Sequence, residues 1–147
     1  MKSRDTLLRL FGQTHDAVFA VDSSQRIIYW NEGAKRLFGY SEAEVLNQPC
    51  WRAIGGRRGQ RPFCGPDCRI QRCIKRGSYP PHCYFESRTR EGRLIWVSAS
   101  IIRLEQGSKP VSVHLLTNVS RQQRMRAALV SIQSALKSHG MIPSTDE

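Results

Sequence analysis

Five cysteines lie close together in the chain, and no other residues in it offer as wide a range of chemistry. All five fall between positions 50 and 83 of a 147-residue sequence: Cys50, Cys64, Cys68, Cys73 and Cys83. In cytoplasmic proteins, crowded cysteines usually bind a metal or take part in redox chemistry, because reducing conditions disfavour structural disulfides. The cluster therefore predicts the place where this protein binds or senses something.

The spacing of the cysteines suits a metal centre. Three residues separate Cys64 from Cys68, and four separate Cys68 from Cys73. Such intervals can place sulfur ligands around one tetrahedral zinc ion or an iron–sulfur cluster. A fourth ligand would then come from the upstream end of the same segment. The predicted ligands are Cys50, Cys64, Cys68 and Cys73, with Cys83 and His82 as reserve ligands.

Two other interpretations of the cysteines stay open. Cys64 and Cys68 alone would suffice for a thiol–disulfide switch, and nearby arginines would then lower their pKa values and favour the thiolate. Alternatively, the cysteines bind no cofactor and pack as small apolar side chains. Spacing alone does not separate a metal or cluster, a thiol switch and purely structural thiols.

The chain is strongly basic, with a formal net charge of +11, and the charge is concentrated in the cysteine segment. One acidic residue, Asp67, accompanies eight basic residues over positions 52–76: Arg52, Arg57, Arg58, Arg61, Arg69, Arg72, Lys75 and Arg76. A basic surface of this kind can bind the phosphates of a nucleic acid. It can also offset the charge of metal-bound thiolates, or it can simply be a solvated loop.

Length and composition limit the class of protein. The chain is long enough for one domain with its own core. It has no run of 18 apolar residues and no secretory signal, so we expect a cytoplasmic protein without a membrane segment. We find no Ser/His/Asp arrangement, no paired carboxylates and no phosphate-binding glycine loop, so we expect no enzymatic activity.

The pattern of apolar residues predicts an α+β fold. Helical spacing indicates a helix over residues 5–14, and a second helix follows the capping residue Asn31. Ser41 and Glu44 match the capping box of a third, short helix. Strands are predicted over residues 17–21, 26–30, 82–88, 93–104 and 110–119. Together they would form a five-stranded antiparallel sheet with short helices on one face.

Residues 1–120 are predicted to form this domain, and about residues 47–80 form a cysteine-rich basic insert within it. Residues 69–76 of the insert could be helical. An amphipathic helix is predicted over residues 121–140, followed by a tail at 141–147. Its apolar residues follow a 4-3-4 spacing along one seam: Met125, Leu129, Ile132 and Leu136. Such a seam pairs with a second chain, continues into a longer signalling helix, or packs on its own sheet.

The order of these elements carries a recognisable sequence pattern. Residues 16–22 and 26–46 closely resemble the first half of a PAS sensor domain, above all in the combination of Trp30-Asn31 with the run Leu37-Phe38-Gly39-Tyr40-Ser41. Residues 90–98 resemble the turn and long strand of the second half of that domain. Thr117, Asn118, Val119 and Ser120 resemble its closing motif. The resemblance covers residues 5–120 and implies the PAS fold.

The cysteine positions are similar to those of a subset of bacterial PAS domains, in which a cysteine follows a short helix and a close cysteine pair precedes another helix. Two residues depart from the family pattern. Asn47 stands where glycine is usual, and Asn118 stands where aspartate is usual. The chain also lacks the Asn-Cys-Arg-Phe-Leu run of flavin-binding relatives and a Cys-x-x-Cys-His site for covalent haem.

The resemblance implies sensing and dimerisation rather than catalysis, with a kinase or a transcription regulator as partner. His114, in the middle of the last strand, is either an ordinary strand residue or a contact to a ligand in the PAS cavity. The leading hypothesis is a cytoplasmic PAS sensor module, active as a homodimer, that detects redox state, oxygen or metal at its cysteines. The alternatives are a PAS interaction module without a cofactor and a small nucleic-acid-binding regulator.

Overall fold

Six helices and seven strands are present in the computed structural model of the chain, which describes residues 2–106 and 109–141. They are α1 (Lys2–Phe11), β1 (Ala17–Val21), β2 (Ile27–Trp30), α2 (Glu32–Phe38), α3 (Glu42–Val45), α4 (Cys50–Ile54), β3 (Arg57–Arg58), β4 (Arg61–Pro62), α5 (Arg69–Lys75), β5 (Cys83–Arg88), β6 (Leu94–Gln106), β7 (Lys109–Asn118) and α6 (Ser120–Ser138). The predicted tail lies outside the described residues beyond Met141.

The strands form one antiparallel sheet in the order β2-β1-β7-β6-β5-β3-β4. All five predicted strands are present, and the α+β fold is confirmed. The prediction of five strands was wrong in number, because β3 and β4 extend the sheet within the insert. Each of these strands has only two residues, so neither carries the alternation of apolar and polar residues that marks a strand in a sequence.

The sheet separates two apolar layers, because side chains alternate between its faces along each strand. On β7, Val111 and Val113 pack in the layer with Leu7 of α1. Leu116 of the same strand packs in the layer on the other face, which contains Phe38 of α2. The short helices α2–α5 therefore cover one face of the sheet, as predicted, while α1 covers part of the opposite face.

Local signals predicted the helices around this core well. The Asn31 side chain accepts a hydrogen bond from the Ala34 N–H at 2.8 Å and caps α2, and Gly39 ends that helix in the left-handed conformation. The Ser41 N–H donates to the Glu44 carboxylate at 3.2 Å, as the capping box predicts. The helix α4 was not predicted, because its five residues are too few for a periodic pattern.

The last helix starts at the sheet and then leaves it. At its start, the Ser120 N–H donates to Asn118 Oδ1 at 3.0 Å, and the Trp96 N–H donates to Ser120 Oγ at 2.9 Å. No residue of α6 is buried, and Leu129 and Ile132 of the predicted seam are 60% and 55% exposed. The seam therefore does not pack on its own sheet. In the described part of the chain, no helix has the length and apolar character needed to cross a membrane.

Candidate functional site

A small cavity lies between the inner face of the sheet, the helices α4 and α5 and the loop that joins β4 to α5. Its volume is about 40 Å³, which is far below the 300–1,000 Å³ or so of a drug-sized ligand site. Three thiols and a ring of apolar and aromatic side chains line it, including Cys50, Cys64, Cys68, Phe19, Trp51, Phe63, Phe85, Leu116 and His114. The structure thus brings three of the four predicted ligand residues to one place.

Cys50 reaches the cavity from the first residue of α4. Its N–H donates to the Gln25 carbonyl oxygen at 2.9 Å, which ties α4 to the turn between β1 and β2. Burial and, to a smaller extent, the neighbouring thiols of Cys64 and Cys68 raise the pKa of the Cys50 thiol to about 12, against hydrogen bonds from Gln25 and Trp51. This thiol is therefore protonated at neutral pH.

Cys64 follows β4 and is held against Gly56. The Cys64 N–H donates to the Gly56 carbonyl oxygen at 3.0 Å. A Cβ atom at Gly56 would lie only 2.7 Å from the Cys64 sulfur, so only glycine allows this approach. Burial raises the pKa of the Cys64 thiol to about 12, against a backbone hydrogen bond from Gly56. The expectation that arginines lower this pKa was wrong, because removal of the thiol from water is the dominant influence on it.

Cys68 and Cys83 complete the neighbourhood of the thiols. Cys68 lies at the position that precedes α5 and lines the cavity. Cys83, a reserve ligand, is buried on β5, and its thiol donates to the Ala99 carbonyl oxygen at 3.9 Å. Burial raises the pKa of Cys83, Arg58 lowers it, and the nearby Cys68 thiol raises it. The two thiols are thus close enough to interact electrostatically.

The remaining predicted ligands lie elsewhere. Cys73, on α5, does not line the cavity. The two ring nitrogens of His82 lie 2.9 Å from Ser100 Oγ and 2.7 Å from Ser98 Oγ on β6, on the face of the sheet away from the cavity. Among residues 2–106 and 109–141, no three histidine, cysteine or acidic side chains are arranged to hold a metal ion. The four-cysteine metal site stays a prediction.

Sequence reasoning missed Gln25, which fastens the cysteine loop to the rest of the domain. Gln25 has a φ of 62°, a left-handed conformation that is uncommon outside glycine. Its side-chain amide donates to the Gly65 carbonyl oxygen at 3.1 Å, between the two cysteines of the loop. Nothing in the sequence marks this residue, because the contact joins positions that are far apart in the chain.

His114 faces the cavity from β7, as one of the two sequence interpretations proposed. Its ring stacks on Phe19 with centroids 4.5 Å apart, and its Nε2 lies 3.1 Å from Ser112 Oγ. Ser112 Oγ in turn accepts a hydrogen bond from the buried Gln71 side chain on α5 at 3.1 Å. Burial lowers the pKa of His114 to about 4, so the imidazole is neutral at physiological pH. The polar chain through Gln71 and Ser112 was not predicted.

The family model for the PAS domain matches residues 15–121. The chain belongs to the PAS domain family. A PAS domain from a two-component sensor histidine kinase is similar in structure, with a TM-score of 0.58 and 16% identity, covering 80% of this chain and 96% of that one. The PAS domain of an HTR-like protein from Haloarcula marismortui has a TM-score of 0.60 and 17% identity over 80% of this chain and 92% of that one.

An RNA-binding light-oxygen-voltage receptor is also similar, with a TM-score of 0.68 and 20% identity, covering 92% of this chain and 38% of the receptor chain. No curated protein matches the sequence closely enough to count. The structural similarity shows that the chain shares its fold with these PAS domains, although the sequence identities are low. They do not address the cysteine-containing subset, which stays a resemblance.

Proposed function

We propose that this PAS domain is a sensor module whose input is a chemical change at the thiols of the cavity. One observation carries the proposal: Cys50, Cys64 and Cys68 come from separate parts of the insert to the same small, largely apolar cavity. Membership of a family found in sensor histidine kinases supports a sensory role. We further propose that the domain works in the cytoplasm, has no catalytic activity of its own, and signals to a kinase or transcription partner.

The favoured input is thiol oxidation between Cys64 and Cys68. Hydrogen peroxide would oxidise the two thiols to one disulfide, and it would itself be reduced to two water molecules. Only a thiolate attacks peroxide, and the raised pKa of Cys64 keeps its thiol mostly protonated. The reaction therefore begins when one of the two thiols loses its proton. The loop between β4 and α5 would have to adjust, and Gln25 holds this loop through Gly65.

A metal ion or cluster at the cysteines is the second candidate input. One observation favours Cys83 over Cys73 as its fourth ligand. Neither Cys73 nor Cys83 lines the cavity, but the reserve ligand Cys83 interacts electrostatically with both Cys64 and Cys68. A zinc ion or iron–sulfur cluster would then use Cys50, Cys64, Cys68 and Cys83 after each thiol loses its proton.

We propose that the output passes through α6, which is anchored to β6 and β7 and then leaves the domain. Its exposed apolar seam suits pairing in a homodimer or continuation into a partner. A domain that pairs in this way without any thiol chemistry would be an interaction module.

The test compares reduced and peroxide-treated protein by thiol titration, peptide mapping and hydrogen exchange. We expect wild type and C73S to form the Cys64–Cys68 disulfide, whereas C64S and C68S should not. Exchange should change in the insert and at the start of α6. If the cavity thiols stay reduced, or if the disulfide forms without any change in α6, the thiol-switch proposal is wrong.

The metal alternative is tested on protein purified without oxygen. Brown protein containing iron would indicate a cluster, and colourless protein containing zinc would indicate a zinc site. In either case, C83S should lose the metal and C73S should keep it. If C73S lost the metal and C83S kept it, Cys73 would be the fourth ligand. If the purified protein contained no metal, the metal site would be excluded and the thiol switch would remain as the proposed input.

A further inference from the structure

The β3–β4 ribbon of the insert places arginines against one another at the edge of the sheet. Arg58 and Arg61 are direct cross-strand partners, and both are exposed. Arg57, also exposed, is paired with Pro62 on one side and with Glu86 on the other. Like charges at opposing positions destabilise a strand pair. Among the described residues, none of the three arginines forms an ion pair, so no carboxylate of that part of the chain neutralises them directly.

Backbone carbonyl groups hold these arginines in place. Arg57 Nη2 donates to the Gln60 carbonyl oxygen at 2.8 Å, and Arg58 Nε donates to the Tyr84 carbonyl oxygen at 3.0 Å. The Arg58 guanidinium also lies 4.6 Å from the centre of the Phe63 ring. Each guanidinium has five N–H donors. The remaining donors on these exposed side chains are available to an anionic partner.

The helix α5 continues the basic surface. Arg69, Arg72 and Arg76 recur at helical spacing on its exposed side, while Gln71 and Ile74 are buried on the other. Arg72 has an acidic neighbour, because its Nε lies 3.5 Å from Asp67, but both side chains are mostly exposed. An exposed ion pair of this kind is weak and can exchange partners.

Residues of α4, of α5 and of the segment that follows β4 line the thiol cavity, which brings arginines of the insert to one region of the domain. Trp51, Phe63 and Arg69 all line that cavity. Arg58 lies over Phe63, and the Arg52 guanidinium lies 5.3 Å from the centre of the Trp51 ring. We call the surface made by these residues the basic surface: Arg52, Arg57, Arg58, Arg61, Arg69 and Arg72. Just after α5, the side chain of Tyr79 is 93% exposed.

We propose that the basic surface binds single-stranded nucleic acid, with its phosphates on the arginines and a base stacked on Tyr79. Guanidinium groups combined with accessible aromatic rings are the means by which proteins bind single strands. A duplex groove is read by a longer element, and here the strands have two residues each and the helix seven. The proposal concerns the protein with reduced thiols.

The experiment measures fluorescence anisotropy of labelled 20-nucleotide oligouridylate and oligothymidylate with reduced, full-length protein. A 20-base-pair duplex is the comparison probe. If about four phosphates are neutralised, affinity for the single strands should fall about 50-fold between 50 and 200 mM salt. The two single-stranded probes separate RNA from DNA. The duplex should bind more weakly than either.

Three triple variants test the location of the surface, and the two glutamine variants among them have the same net charge. R57Q/R58Q/R61Q should lose most of the binding and show a shallower salt dependence, whereas R57K/R58K/R61K should retain binding because phosphate contacts need positive charge. R121Q/R124Q/R126Q, which removes three exposed arginines of α6, should bind as wild type. Y79A should bind about fivefold more weakly or worse if a base stacks there.

Three results would overturn the proposal. Equal losses in the two glutamine variants would show that binding follows net charge and not the basic surface. Absence of binding at 50 mM salt would exclude a nucleic acid ligand for the reduced protein. Competition by poly-glutamate as effective as that by oligouridylate would identify an acidic protein as the partner. Because reductant is present throughout, failure here leaves the thiol-switch proposal intact, and failure of that switch leaves this proposal intact.

Discussion

The buried side chain of Asn31 joins three parts of the domain. Its Oδ1 accepts hydrogen bonds from the N–H groups of Val18 and Ala34, and its Nδ2 donates to the carbonyl oxygens of Phe11 and Asp16. These bonds link the end of α1 to β1 and to the start of α2. The sequence marked Asn31 as a helix cap, but the contacts with Phe11 and Val18 could not be read from it.

Replacing Asn31 with aspartate should destabilise the protein strongly. The N31D side chain keeps its acceptors but loses both donors, and a carboxylate then faces two carbonyl oxygens in a buried site. We expect a loss of about 3 kcal/mol in the free energy of unfolding, measured by urea denaturation at neutral pH. N118D is the matched control, since the exposed Asn118 only accepts a hydrogen bond from Ser120. Equal stability of N31D and N118D would contradict this account.

Asn47 has a φ of 62°, which explains why glycine is usual at this place in the family pattern. Asparagine tolerates the left-handed conformation better than most residues, but alanine does not. We expect N47A to lower the free energy of unfolding by about 1 kcal/mol, whereas N47G should remain close to wild type. Urea denaturation of both variants checks this. Equal effects of alanine and glycine would show that the backbone conformation does not limit stability here.

His114 should make the protein sensitive to mild acid. An unfolded chain takes up a proton on this imidazole near pH 6.5, whereas the folded protein does so only near pH 4. Stability is therefore lost as pH falls from about 7 to 4, by up to about 3 kcal/mol. The thiols of Cys50 and Cys64, which line the same cavity, have raised pKa values and stay neutral over this range.

The measurement is urea denaturation at several pH values for wild type and for H114Q, in which the amide can still contact Ser112. We expect H114Q to lose less stability than wild type between pH 7 and pH 4. H139Q, which removes a histidine beyond the end of α6, is the control for a general effect of histidine replacement. Parallel pH dependence in wild type and H114Q would show that His114 is not the group responsible.

At the scale of elements, helices and strands could be predicted from the sequence wherever they carry an apolar run or a capping residue. Apolar runs bounded by turn-like segments identified five of the strands, and the capping residues identified α2 and α3. The first helix lies three residues earlier than predicted, since the Gly12 N–H already donates to Leu8 at 2.9 Å and closes the last turn. The strands β3 and β4 depend on pairing with β5 through Arg57 and Glu86, which is a contact between distant positions.

Helix geometry also explains why Cys73 does not line the cavity together with Cys50, Cys64 and Cys68. Cys68 precedes α5 and reaches the cavity, but Cys73 lies about 7.5 Å farther along the axis at the usual helical rise. The helix is oriented by Gln71, which bonds Ser112, and by the buried Ile74. Spacing in sequence indicated that the cysteines could meet, whereas packing of α5 on the sheet decided which of them do.

For the whole molecule, the sheet connects the thiol cavity to the helix that leaves the domain. Ala99 on β6 and Leu116 on β7 line the cavity and are register partners. Farther along the same two strands, Trp96 and Asn118 anchor the start of α6. A change at the thiols that shifts β6 against β7 would therefore reach the helix within a few residues. Because the interior is closely packed, we expect the residues of the two strands to shift together rather than one at a time.

The exposed seam of α6 predicts that the protein forms a dimer through this helix. Replacing two of its apolar residues in L129E/I132E places four like charges in a paired seam, and we expect monomers by light scattering at tens of micromolar. A127E/V130E adds the same charge to another side of the helix, and it should remain dimeric. Circular dichroism should show both variants folded, because no α6 residue is buried in the domain. A monomeric wild type, or equal dissociation of both variants, would exclude the seam as the interface.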